Sequence, residues 1–164
     1  RLLELPPIKV CITNAGFIVE TWKVFEVQFL FGQCYEDRKI PGAPNYAAYS
    51  SGTRPENEQD KPELATDGST NSKWTSQCFG GCKPKEAFVG LDIASTPEWR
   101  VAQEPNKTFE EVRVRCLRYY QSNDYRYMTE SISLQEVYYE QPNLVHVTLD
   151  TFPDATGGRW SRRP

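Results

Sequence analysis

The stretch KVFEVQFLF, residues 23–31, decides what kind of fold this chain adopts. Phe25, Val27, Phe29 and Phe31 fall at every second position, while Trp22, Val24, Glu26 and Gln28 take the opposite parity. A period of two sends side chains to alternate faces of an extended chain, whereas a helix would need spacings of three and four. Aromatic and β-branched residues also suit a pleated, half-buried surface. The stretch reads as a strand.

The same pattern recurs along the chain. IKVCI (8–12) aligns Ile8, Val10 and Ile12, and AFVGLDI (87–93) aligns Ala87, Val89, Leu91 and Ile93. FEEVRVRCLRYY (109–120) sends Val112, Val114 and Cys116 inward and Arg113 and Arg115 outward. SISLQEVYY (131–139) and NLVHVTL (143–149) read as two strands joined by the turn EQPN. Between them lie loops rich in Gly, Pro, Asn, Asp and Ser, at 41–73 and 94–107. No amphipathic helix of ten residues or more is visible; a helical turn is expected only around Tyr46 to Tyr49 or after Pro62. Short strands parted by turn clusters predict an all-β antiparallel sandwich over residues 1–152, followed by an irregular tail, 153–164.

Composition narrows the function classes. The chain has 164 residues, enough for one domain with a sizeable core. Its 19 basic and 22 acidic residues leave a net charge of −3, and no run of Lys and Arg is present to neutralise phosphates, so no nucleic-acid partner is expected. No apolar run approaches the ~18 residues that cross a bilayer. Membrane insertion is not expected, since no adjacent pair of Trp, Leu or Met crowns a loop. Beginning at Arg1 and ending GGRWSRRP, the chain reads as a processed product or a piece of something larger.

Five cysteines imply two disulfides and one leftover thiol in an oxidising compartment, secreted or at the cell surface. Cys78 and Cys82 flank Phe79, Gly80 and Gly81, and two glycines let the chain fold back for a local bridge. A zinc site is the alternative, but the second half of its ligand set is missing and the only histidine is His146. Asn106, in Asn106-Lys107-Thr108, is a glycan acceptor sequon consistent with secretion.

Nothing here announces an enzyme. There is no G-x-S-x-G, H-E-x-x-H, phosphate loop or dinucleotide fingerprint. His146 alternates with Val145 and Val147, so it falls on the outer side of a strand, and Glu110 and Glu111 read as solvated surface. The expectation is a non-catalytic protein.

A second stretch carries the functional reading. LATDGSTNSKWTS (64–76), then EAFVGLDIAS, then FEEVRVRCLRYYQS resembles the discoidin, or coagulation factor V/VIII C-type, domain, over roughly residues 64–150. The elements that match are Ala65, Asp67, Gly68 and Trp74, then Gly90 to Ile93, then Val112 to Leu117. The strands that usually close that fold look like IKVCITNAG and WKVFEVQFLFG here, at the start of the chain. The resemblance therefore implies a galactose-binding-like jelly roll in circularly permuted order.

By matching position it implies a structural Ca²⁺ held by Asp67, Ser69 and Ser72 from the loop and Glu26 from the closing strand, hard oxygen donors of the kind that ion takes. Without an ion, Asp67 would cap its own turn and Gly68 would take a positive φ. Trp74 is expected in the core, with its indole N–H bonded to an acceptor. The resemblance also sets the strands of Cys11 and Cys116 side by side, implying a Cys11–Cys116 bridge and leaving Cys34 free or joined to another chain. Against that pairing, Cys116 alternates with apolar residues and Cys11 does not.

Such folds bind through loops at one end. Phe79, Tyr120, Asn123, Asp124, Tyr125 and Arg126 supply the aromatic faces and polar groups that a glycan or glycoprotein would meet. The alternative is a structural module that docks on a protein partner within a larger extracellular or multi-subunit assembly.

Overall fold

In the computed structural model, the residues described are 7–30, 47–94, 114–159 and the backbone of 161–163. They form an all-β sandwich of two antiparallel sheets with almost no helix. In chain order the strands are β1 (Lys9–Asn14), β2 (Lys23–Leu30), β3 (Ala48–Ser50), β4 (Trp74–Thr75), β5 (Phe88–Asp92), β6 (Cys116–Gln121), β7 (Ile132–Glu140), β8 (Asn143–Phe152) and β9 (Ser161–Arg163). One sheet runs β3-β5-β1-β7-β8 and the other β4-β2-β6-β9. Short 3₁₀ turns at Pro55–Asn57 and Pro62–Ala65 interrupt the long connection before β4. The second lies where a helical turn is expected after Pro62, whereas Ala48–Ser50 is a strand.

Alternation decides which side of each strand is buried. Val10 and Ile12 of β1 stand opposite Leu91 and Val89 of β5, and all four reach the core with Ile132 and Leu134 of β7. The facing sheet contributes Val24, Val27, Phe29, Leu117 and Tyr119. Each such fully buried side chain is worth roughly 1.5–3 kcal/mol relative to exposure. Trp22 and Trp74 meet edge to face with ring centroids 6.0 Å apart, both without solvent contact. Trp74 donates its indole N–H to the Gly52 carbonyl at 3.2 Å, so it is a satisfied core residue.

Three expectations need correction. The first is the strict period of two in β2. A bulge between Val24 and Glu26 lets Val24 and Val27 both face the core, while Phe25 stays half-buried with its edge against Tyr120. An extra residue reverses the parity of everything after it. In the partner strand β6, Leu117 reaches the core, so Cys116, buried, has the opposite parity to it, and Val114, just before the strand, also reaches the core.

The second correction concerns the cysteines. Cys78–Cys82 is formed as expected, but Cys11–Cys116 is not. Cys11 is a buried free thiol in the five-stranded sheet, and Cys116, in the other sheet, is bonded to a partner outside the described residues. The opposed alternation of the two cysteines was the physical sign. Cys34, like Asn106, lies outside the described residues.

Third, the stretch expected to be an irregular tail is ordered at the residues described within it. Ala155 is buried in the core, and β9 pairs with β6, Arg162 opposite Arg118 and Ser161 opposite Tyr119. Three residues are too short for a periodic signal.

Candidate functional site

Four connections meet at one end of the sandwich: β1–β2 (15–22), β4–β5 (76–87), β6–β7 (122–131) and the described part of β8–β9 (153–159). Backbone hydrogen bonds lace the described parts together. Ile18 and Cys82 exchange both bonds at 3.0 and 2.9 Å, and the amide of Gly81 donates to Glu20 O at 2.9 Å. The amide of Glu20 donates to Arg126 O, that of Ala155 to Glu130 O, and those of Ala15 and Gly16 to Ser131 O. Gly157 lies so close to the Ser122 carbonyl that a Cβ would collide with it, so only glycine lets β8–β9 close on β6–β7.

Beneath these loops Gln121 is fully buried with both ends of its amide used. Its Oε1 accepts from Trp22 Nε1 at 2.9 Å and from the Thr129 amide at 3.1 Å. Its Nε2 donates to the carbonyls of Thr129 at 2.8 Å and Thr156 at 3.1 Å. One side chain thus ties β6 to three of the loops, β1–β2, β6–β7 and β8–β9, and the Cys78–Cys82 bridge stiffens the fourth.

Above this floor lies a cleft of about 490 Å³ walled by Phe17, Val19, Tyr125 and Met128, with Glu130, Ser131 and Pro153. A second cleft of about 440 Å³ continues it past Met128, Glu130 and Pro153 to Asp154 and Thr156. Tyr125 is 72% exposed, Phe79 67% and Phe17 63%, a concentration of solvent-facing rings at one end.

The expected ligand-binding residues divide. Tyr125 lines the cleft. Phe79 tips the disulfide loop, with the Arg54 guanidinium stacked 3.7 Å from its ring centre. Asn123 is exposed beside Gly158. Asp124 and Arg126 hold one another, Nε to Oδ1 at 3.1 Å and NH2 to Oδ2 at 2.7 Å, and this pairing pulls Asp124 down to about 2. Tyr120 faces outward from β6 and gives its hydroxyl to Gly158 O at 2.9 Å, so it supports the loops without lining the cleft. Phe17, Val19, Met128 and Glu130 were missed by sequence reasoning. For Phe17 and Val19 the signal was available in AGFIVE (15–20), where two apolar residues flank Ile18 in a turn and all three cannot be buried; Met128 and Glu130 carried none.

The loop before Trp74 has a separate geometry. Gly68 has φ +86° and donates its amide to Glu26 Oε2 at 3.1 Å. Asp67 accepts the Ser69 amide at 3.0 Å and the Ser72 hydroxyl at 2.8 Å, and Ser69 Oγ accepts the Asn71 amide at 3.1 Å. Glu26 is buried and Asp67 exposed. The donors are all oxygens, the chemistry that suits a hard cation, though the loop already closes on itself through these bonds. Among the described residues no trio of His, Cys, Asp and Glu converges as a metal site.

The outer face of the five-stranded sheet holds the remaining chemistry. His146 takes part in hydrogen bonds to Tyr49 Oη from Nε2 at 2.9 Å and to Gln135 Oε1 from Nδ1 at 3.0 Å. The neutral tautomer with the proton on Nδ1 satisfies both. Cys11 Sγ lies 3.9 Å from Nδ1, which in that tautomer carries a proton and does not accept the thiol's. Burial pushes the Cys11 thiol up and His146 down from their ordinary ranges. The pair is not arranged as nucleophile and base.

No family model, curated protein or solved structure matches the chain. Among the described residues no helix is long and apolar enough to cross a membrane.

Proposed function

We propose that this protein is a non-catalytic binding module that recognises glycans through the loop end of its sandwich. The observation that carries the reading is the cleft itself, where Phe17 and Tyr125 offer ring faces beside the acceptor oxygens of Glu130 and Asp154. Apolar walls with a few convergent polar groups are the general form of a small-ligand site. A sugar matches them with C–H faces for the rings and hydroxyl donors for the carboxylates. The arrangement of Cys11 and His146 favours a non-catalytic role.

The reading includes a discoidin-like jelly roll in permuted order. It is supported by β1 and β2, which precede the Trp74 loop in sequence and take inner positions in the two sheets. It also includes a structural Ca²⁺, for which Glu26, Asp67, Ser69 and Ser72 would supply oxygens and whose role would be to fix the loop over Trp74. The disulfide bridges support an extracellular setting.

A second reading, docking on a protein partner, is favoured by Phe17, Val19 and Phe79, three exposed apolar side chains on loops of the same end.

Glycan-array binding of the purified protein, run in calcium and in chelator, tests this directly. Binding in calcium that weakens in chelator is expected. Binding indifferent to chelator would retain glycan recognition and remove the ion. A folded protein with no glycan signal would sink the first reading and move the search to protein partners.

A further inference from the structure

The turn that carries Tyr125 is braced from several sides. The Tyr127 amide donates to Asp124 O at 2.9 Å, closing a turn with Tyr125 and Arg126 at its centre. Asp124 Oδ1 accepts the Arg126 amide at 3.0 Å, the bond by which an aspartate side chain fixes the backbone ahead of it. The Arg126 guanidinium folds back onto the same carboxylate, Nε to Oδ1 at 3.1 Å and NH2 to Oδ2 at 2.7 Å. The Asp124 amide is itself held by Ser122 Oγ at 3.1 Å. Tyr125 stands between the two clamped residues.

The far side of the turn is fastened to the β1–β2 connection and the start of β2. Arg126 O accepts the Glu20 amide and Tyr127 O the Lys23 amide, both at 3.0 Å, and the Lys23 ammonium sits 3.8 Å over the Tyr127 ring. Phe17 and Val19 wall the cleft from that same connection, so the clamp fixes Tyr125 relative to them. An exposed ion pair adds little to global stability, and its consequence here is local. We infer that Asp124 and Arg126 are positioning residues, which hold the Tyr125 ring in place at the cleft and do not touch the ligand. The inference rests on the glycan-binding reading and assigns two of the residues expected to meet the glycan to the support of the ring that does. A ring ordered before binding spares the complex the entropy of ordering it, an advantage of about fivefold in affinity.

The test is a double-mutant cycle read on the oligosaccharide that wild type binds most strongly on a glycan array. Asp124→Ala and Arg126→Ala should each weaken affinity about fivefold in the wild-type background and leave it unchanged in a Tyr125→Ala background, because both act through the ring. The urea midpoint should stay at its wild-type value, while amide exchange at Arg126 and Tyr127 quickens in Asp124→Ala. Arg126→Ala keeps the Asp124 brace on the backbone, so the test stands even where Asp124→Ala folds poorly. Equal losses in the two backgrounds would mean that the pair meets the ligand directly, and no loss in either would mean that the clamp does not order the ring for binding. Both results overturn the inference with glycan binding intact. Failure of wild type to bind any glycan overturns both readings.

Discussion

Gln121 shows how one residue can hold a binding end together. Its amide meets four partners from three other segments, and none of its hydrogen-bonding capacity is left to solvent. Replacing it by leucine preserves approximate volume but strands the Trp22 indole N–H, the Thr129 amide and two carbonyls in a buried site. Each unsatisfied buried group costs about 1–3 kcal/mol, and partial relaxation of the loops reduces the sum. Gln121→Leu should therefore lose about 3 kcal/mol of stability, read as a lower midpoint in urea unfolding. A loss below 1 kcal/mol would mean the amide is not the tie described. This role was not legible in the sequence, because a glutamine at the end of a strand followed by Ser122 and Asn123 reads as surface. Its burial comes from two loops, distant in sequence, closing over it. The packing role of Trp74 was legible, since a tryptophan entering a strand behind a tight loop has few other places to go.

At the scale of single elements, alternation located β1, β2, β5, β7 and β8 well, because each is long enough to repeat a period of two. It failed where a bulge inserted a residue at Phe25, an event that hydrophobicity alone does not mark, and where β3, β4 and β9 are only two or three residues long. The disulfide loop was readable from Cys78, Gly80, Gly81 and Cys82, but not its attachment to the β1–β2 connection through Ile18 and Glu20. That attachment gives the bridge a role in the site. Closing so short a loop is worth about 2 kcal/mol by chain-entropy reasoning. Replacing both Cys78 and Cys82 by Ser should lower stability by about that amount and speed amide exchange at Gly81 and Cys82. Unchanged exchange there would show that the backbone pairing holds the loop without the bridge.

The whole molecule is a sandwich whose two sheets were predictable as a class and whose ends were not. Strand order depends on long-range pairing, such as β1 between β5 and β7, which no local pattern specifies. The cleft is a product of that order, because it draws Phe17, Tyr125, Glu130 and Asp154 from three separate connections. Only Tyr125 among them stood out in the sequence, inside the tyrosine-rich run at 119–127. Glycan recognition at this end makes a demand on Tyr125 that a purely structural module would not. The most direct measurement is the affinity of wild type and Tyr125→Ala for whichever glycan binds most strongly, with urea unfolding run on both. Tyr125 is exposed, so the account predicts unchanged stability and an affinity at least tenfold weaker. Equal affinity in the two proteins would contradict the placement of the site.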